Sequence, residues 1–310
     1  MTVAIVQGAL ELGVIYALVA MALFLSYSIL DIADLTTDGC FTLGCAVSAT
    51  VAIAGHPVLA IFAAIASGVA AGFVTAFLQT RLGVPSILAG IITNTGLYTI
   101  NLAAMGFTSN LSLFKCETIF TMAKDTIGNI PVIGNWYKLI LSALIVFIVA
   151  VLLILFLGTR LGMSIRATGD NKDMVRASSI NPIFTITVGL CIANAMTALS
   201  GAILGQYQKS CDINLGTGMV VIGLASLIIG ETLVGKKSMV RWVCAVITGS
   251  VIYRFIVAIA LRFNVPAEAL KLVSAIIVAI AIAMPAVKKG IAFRKRKNAA
   301  IRARKMGGGQ

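Results

Sequence analysis

The sequence predicts an all-α, polytopic membrane protein, and three observations predict it. Of its 310 residues, 59% are hydrophobic and 11% are charged, against about 25% charged in a typical soluble domain. Mean hydropathy is +1.03, so the chain cannot cover a water-facing surface with polar groups. The apolar residues come in continuous runs near the roughly 20 that a membrane helix needs, not in the alternating segments of about ten that a membrane β-barrel shows. A soluble enzyme, a nucleic-acid-binding protein and a disordered regulator are excluded. The net charge of +13 does not argue for nucleic acid. Nine of the 24 Lys and Arg residues fall between Lys288 and Lys305, with no acid among them.

Nine candidate spans follow in order, at about 3–29, 40–54, 57–80, 85–106, 138–158, 182–206, 216–234, 240–262 and 268–286. The first has no basic leader region and is long enough to cross, so it reads as a span and not as a cleaved signal. The second is short and contains glycine. Residues 1–287 read as the transmembrane domain, with halves at about 3–106 and 182–286, and 288–310 as a basic tail. Short loops rich in Lys and Arg stay in the cytoplasm. With nine spans, Arg81, the 159–181 loop, Lys236, Lys237, Arg241 and the tail share one side. That side is assigned to the cytoplasm and the N-terminus to the outside, with Arg262 the exception.

The six cysteines include no C-x-x-C and the chain has one His, so a Cys/His metal site is not expected. Cys116 and Cys211 fall in polar loops on the same predicted side, and the sequence leaves open whether they pair. The other cysteines sit mostly in apolar runs and read as packing residues.

Two stretches echo each other. Asp34-Leu-Thr-Thr-Asp38-Gly39 precedes a span opening Gly39-x4-Gly44, and Asp212-Ile-Asn214-Leu-Gly-Thr-Gly218 precedes one opening Gly218-x4-Gly223. Arg81-Leu-Gly-Val-Pro85 likewise matches Arg262-Phe-Asn-Val-Pro266, and all these matches are offset by 178 to 181 residues. Five spans separate the Gly39 and Gly218 sites. An odd number makes the two copies antiparallel, an inverted repeat of the kind found in transporters. Both copies hold a Gly-interrupted, Asp-bearing segment. Irregular backbone survives at membrane depth only where protein or a water-filled cavity meets its polar groups.

Several polar residues stand out against this apolar background. Asp31, Asp34 and Asp38, with Thr37, lie on the expected inner side, as helix caps or as the inner mouth of a pathway. A proton relay is the competing reading of these acids. Asp212 and Asn214 are their outer counterparts. Asn94, Tyr98 and Asn101 share one face of the fourth span, and Asn194 and Thr197 one face of the sixth. Each stripe either bonds to neighbouring helices or lines a path. Gly68-x3-Gly72 and Gly201-x3-Gly205 mark close helix packing. Arg254 is the basic residue well inside a span, and Glu11 lies at a similar depth on the first span as its candidate ion-pair partner.

The 159–181 loop is the longest on the inner side. Asp170 or Asn171 can cap a short helix running through Arg176, Gly169 permits a turn or close backbone approach, and Pro182 suits the start of the next span. This loop resembles the cytoplasmic coupling segment of ABC importer permeases of the branched-chain amino acid and ribose type, which read approximately G-x-x-x-R-A-x-G-x-N. Gly162, Arg166, Ala167, Gly169 and Asn171 match, as do Ile180 and Asn181 beyond them. The first span, Gly13-Val-Ile-Tyr-Ala-Leu-Val-Ala-Met-Ala-Leu, is similar to the family's opening, with Ala22 in place of its second Gly. The Asp31–Gly39 stretch and Gly223–Glu231 resemble a subset associated with import of amino acids such as tryptophan or tyrosine.

The resemblance covers roughly residues 5–286. It implies a type II ABC importer fold in a bacterial plasma membrane and a chain that is itself no enzyme. It also implies a second permease subunit, two cytoplasmic ATPase subunits that carry ATP and Mg²⁺, and an external substrate-binding protein. Gly162, Arg166, Ala167, Gly169, Asp170, Asn171 and Arg176 would then meet the ATPase. Consistently, Gly230-x4-Gly235-Lys236-Lys237 has Lys where a phosphate-binding loop needs Ser or Thr, so no cofactor is expected in this chain. The basic tail suits anionic lipid. An ion-coupled transporter using Asp31, Asp34 and Asp38, or a structural membrane protein, are the alternatives.

Overall fold

The computed structural model describes residues 3–127 and 136–262, with a few isolated helical positions beyond. The expected span at 268–286 and the basic tail at 288–310 therefore lie outside the described residues. Helices dominate: α1 (Val3–Leu23), α2 (Thr37–Ile53), α3 (Pro57–Thr80), α4 (Ser86–Ala104), α5 (Ile119–Ile127), α6 (Tyr137–Gly158), α7 (Arg160–Asp170), α8 (Lys172–Ala177), α9 (Pro182–Gln208), α10 (Met219–Val234) and α11 (Met239–Arg262). Among the described residues, six are long and apolar enough to cross a membrane, counting α1 with its continuation to Ile29; α2 and α10 are shorter apolar helices.

The longest helix, α9, is the axis on which the others pack. Proline opens it and the Asn181 side chain caps it, accepting from the amide of Ile183. Small residues let neighbours approach to backbone contact. Gly68 and Gly72 of α3 lie against Asn194–Ala195 and Leu190–Cys191 of α9, while Gly201 and Gly205 of α9 lie against Phe41 and Cys45 of α2. Serines stitch α1 to its partners: Ser200 donates to the carbonyl of Ile15 (2.9 Å) and Ser250 to that of Gly13 (2.7 Å).

Helix α1 does not end on an ordinary turn. Phe24–Ile29 form a π-helical turn, after which Asp31 takes a left-handed conformation (φ 54°) and the chain doubles back. The segment between Leu30 and Thr36 then runs through the interior to the start of α2. There Asp34 accepts from Asn194 of α9 at 2.7 Å. At helical rise, Asn194 is about 18 Å from the Pro182 end and about 21 Å from the Gln208 end. Asp34 and the first turn of α2 therefore lie about half-way along the bundle, not at its inner face. A polar loop between two apolar runs predicts the inner surface for these residues, whereas the loop re-enters the bundle to reach Asn194.

From that level α2 runs toward the Gln208 end, where Gln206 donates to Ser48 (2.9 Å) and to the carbonyl of Pro57 (3.1 Å). Helix α10 starts at the same level and runs the opposite way. Its Gly223 packs on Leu23 and Val19, and its Glu231 reaches Ser28 near the end of α1.

Among the described residues, one feature departs from a purely helical reading. β1 (Asn110–Ser112) and β2 (Ser210–Asp212) form an antiparallel ribbon with Leu111 opposite Cys211. α5 follows the ribbon, its first amide, Ile119, bonded to the Gln206 side chain at 2.9 Å. Both lie at the Gln208 end, and α5 is amphipathic, with Ile119 and Phe120 buried against the core.

A candidate solute pathway and coupling surface

The junction of α2 and α10 is built around one carboxylate. Asp38 sits in the first turn of α2, and its two oxygens accept the amides of Gly218 and Val220, each at 2.9 Å. It thus stands at the N-termini of two helices, whose dipoles favour negative charge there. Gly218 has φ 88°, a conformation that favours glycine. Thr42, one turn along from Asp38, accepts the amide of Gly216 at 3.0 Å. Gly216 lies on the carbonyl of Asp38 so closely that a Cβ would not fit.

Beside this junction is a polar cavity of about 280 Å³, lined by Asp38, Gly39, Thr42, Asn94, Thr95, Tyr98, Asn101, Ile213, Asn214 and Thr217. It collects five of the candidate pathway residues: Asp38, Asn94, Tyr98, Asn101 and Asn214. The face shared by Asn94, Tyr98 and Asn101 arises from helical period alone. The amide of Asn101 is buried and donates to the carbonyl of Gly39 at 3.0 Å. Tyr98 stands half exposed. Thr42, Thr95 and Thr217 were missed, although Thr42 is one helical turn from Asp38 and Thr95 one turn from Tyr98.

Other candidates serve different places. Asp34, Thr37 and Asn194 form a brace behind the cavity. Asp34 accepts from the amide of Thr36 (2.9 Å) and from Asn194, and Thr37 donates to the carbonyl of Asp34 (3.2 Å). Thr197 bonds its own helix at the carbonyl of Ala193. Asp212 caps a turn by accepting the amide of Asn214 at 2.8 Å. Asp31 is exposed at the left-handed turn. Neither Asp31 nor Asp212 lines the cavity.

Glu11 and Arg254 do not form the expected ion pair. Glu11 accepts from Gln7 (2.9 Å) and Tyr207 (2.6 Å), while the Arg254 guanidinium lies 3.7 Å from the Tyr16 ring centroid. The reason is geometric. Helical side chains lean toward their own N-terminus, and α1 and α11 are antiparallel, so residues at similar depth point apart.

The expected coupling segment folds as two helices, not one. Thr159 caps α7, accepting from Gly162 at 3.2 Å. Of the two candidate caps for the next helix, Asn171 takes the role, accepting from Asp173 and Met174 at 3.0 Å each, and Asp170 ends α7. Gly169 serves close approach rather than a turn. It lies on the carbonyl of Ile29, in the π-helical turn of α1, where a Cβ would not fit. Gly162 lies against Phe156 and Leu157 in the same manner. Thr168 and Thr185 share a hydrogen bond at 2.8 Å, fastening α7 to α9. Asp170, Asn171 and Arg176 are exposed, while Arg166 and Ala167 are half-buried. Cys116 and Cys211 do not form a disulfide; both thiols are free. Cys211 is buried beside the Cys45 thiol of α2 and 4.0 Å from the Met105 sulfur, and Cys116 is part-exposed in its loop.

These features agree with what known proteins share with the chain. The family described as branched-chain amino acid transport system, permease component, matches residues 5–284. The chain is 35% identical over 267 residues to the tyrosine transport system permease protein of Clostridioides difficile (strain R20291), covering 86% of each. It is 31% identical over 281 residues to the uncharacterized protein RP368 of Rickettsia prowazekii (strain Madrid E), covering 88% of this chain and 95% of the relative. No solved structure matches it. A family match over nearly the whole chain, set on apolar helices that converge on a polar cavity, identifies it as a member of the branched-chain amino acid transport permease family.

Proposed function

We propose that the chain is the membrane-spanning subunit of an ATP-driven ABC importer and carries an amino acid through the cavity between α2, α4 and the loop that leads into α10. The observation that carries the reading is the polar cavity half-way along an otherwise apolar bundle, where two helices start from one carboxylate. The relative's tyrosine transport favours an amino acid as solute. The end bearing α7 and α8 faces the cytoplasm and meets ATPase subunits through Arg166, Ala167, Asp170, Asn171 and Arg176, with Gly162 and Gly169 seating α7. Contact of α7 with the π-helical turn of α1 links that surface to the Asp34–Asp38 segment. A second permease subunit completes the path, and a substrate-binding protein docks at the end bearing the β-ribbon. The halves at about 3–106 and 182–286 form an inverted repeat that rocks about the cavity, a reading supported by α2 and α10 starting at one level and running apart. The tail at 288–310 holds anionic lipid on the cytoplasmic side.

The test is uptake of radiolabelled L-tyrosine into proteoliposomes that contain the permease, its ATPase subunits and its binding protein. Uptake is expected to require ATP, to survive a protonophore, and to fall with Arg166→Glu. Uptake that ignores ATP and collapses with the protonophore would sink this reading in favour of ion coupling through Asp31, Asp34 and Asp38.

A further inference from the structure

We infer that Glu231 is a positioning residue for transport: it pins the π-helical turn of α1 to α10, so that movement of α7 reaches both helix starts at Asp38. The inference rests on the ATP-driven transport reading.

The starting observation is a closed ring. From Ser28 in the π-helical turn, the backbone runs through Leu30–Thr36 to Asp38 in the first turn of α2. The Asp38 carboxylate accepts the amides of Gly218 and Val220 at the start of α10. Helix α10 then covers about 20 Å to Glu231 at helical rise. There Glu231 accepts the Ser28 hydroxyl at 3.2 Å and closes the ring. Two side-chain pins thus hold one covalent arm against one helix. α7 bears on the ring beside the second pin, since Gly169 lies on the carbonyl of Ile29, the neighbour of Ser28. π-Helical turns inside α-helices are frequent at functional sites. This one presents Ser28 to α10 and the Ile29 carbonyl to α7 from adjacent residues.

The surroundings of Glu231 say which of its bonds carries the link. Its Oε1 accepts from Ser28 and from the Trp242 indole at 2.8 Å, and its Oε2 meets the Lys236 ammonium at 2.7 Å. Trp242 is itself held edge-on against Phe24, the first residue of the π-helical turn, with ring centroids 4.8 Å apart. The Glu231 side chain is 11% exposed and that of Lys236 55%. An ion pair with so exposed a partner adds little, whereas hydrogen bonds to a sheltered carboxylate are strong. Packing of Gly223 on Val19 and Leu23 keeps α10 beside α1, but apolar contact is non-directional. The directed bond from Ser28 fixes the register between the two helices. With it, a push on Ile29 reaches α2 through the 30–36 segment and α10 through Glu231. Without it, α10 follows only through Asp38.

The test reads ATP hydrolysed per L-tyrosine taken up, in proteoliposomes that hold the permease, its ATPase subunits and its binding protein. Ser28→Ala removes one hydroxyl and is expected to raise that ratio about fivefold, within the range by which residues on a coupling route alter coupling. Glu231→Leu removes the acceptor, is expected to do the same, and serves if the first variant does not fold. The two together are expected to do no more than either alone, because both break one pin. Glu231→Gln keeps the oxygen that Ser28 and Trp242 reach and is expected to restore the parental ratio. Lys236→Met, which removes only the ion pair, is expected to stay near the parent. A parental ratio in folded Ser28→Ala or Glu231→Leu protein, an additive rise in the double variant, or an equal rise in Lys236→Met would each overturn the inference. Absence of ATP-driven uptake in the parent protein would instead defeat the transport reading, and the inference with it.

Discussion

Asp38 and Gly218 come from segments 180 residues apart, and the carboxylate of one accepts the amide of the other at 2.9 Å. A single side chain thereby serves the starts of two helices that run in opposite directions. A charge half-way along an apolar bundle is tolerable only with such compensation.

Removing this carboxylate should loosen the junction. Asp38→Ala is expected to cost about 2 kcal/mol, the upper end for a helix cap, and Asp38→Asn about 1 kcal/mol, because it keeps an acceptor but loses the charge. Denaturation of the purified subunit in detergent measures both. Equal stability of the Ala variant and the parent would show that the junction is held by other contacts.

Any side chain at Gly169 should separate α7 from the π-helical turn of α1, since a Cβ there meets the carbonyl of Ile29. Gly169→Leu is expected to destabilise by about 1–3 kcal/mol through overpacking. ATP-driven uptake is expected to fall while ATPase subunits still co-purify. Normal uptake in that variant would remove α7 from the transmission route.

Arg254 should couple energetically to Tyr16 and not to Glu11. A double-mutant cycle with Arg254→Gln and Tyr16→Leu is expected to give about 0.5–2 kcal/mol, the range of a cation–π contact. The cycle pairing Arg254→Glu with Glu11→Lys is expected to give none, because each side chain faces its own neighbours. Rescue of expression by the double charge reversal would contradict the geometry.

Oxidation should reveal which cysteines are neighbours. Treatment of membranes with diamide, a thiol oxidant that takes up the two protons and two electrons, is expected to link Cys45 to Cys211. Peptide mapping by mass spectrometry reads the product. A Cys116–Cys211 fragment in its place would show that the β-ribbon is arranged differently.

Much of this protein is legible in its sequence, for physical reasons. Apolar runs of membrane length must form helices, since lipid offers no partner for free backbone groups. The period of a helix alone placed Asn94, Tyr98 and Asn101 on one face, and they line one cavity. Small residues at Gly68, Gly72, Gly201 and Gly205 marked the packed faces correctly. Asn171 and Pro182 announced the helices that follow them.

Depth, direction and pairing were decided only by the tertiary structure. Nothing local distinguishes a surface loop from one that re-enters, so Asp34 and Asp38 were placed at a face and not half-way along α9. Nothing local distinguishes Glu11 and Arg254 at equal depth from Glu11 and Arg254 in contact, because contact depends on which way two antiparallel helices lean their side chains. The segments at 34–39 and 212–218 looked alike in sequence, and only folding brought them together, with one carboxylate facing both helix starts. Composition and period act along the chain and can be read along it. The meeting of Asp38 with Gly218 is a long-range contact, and it exists only once the helices have packed.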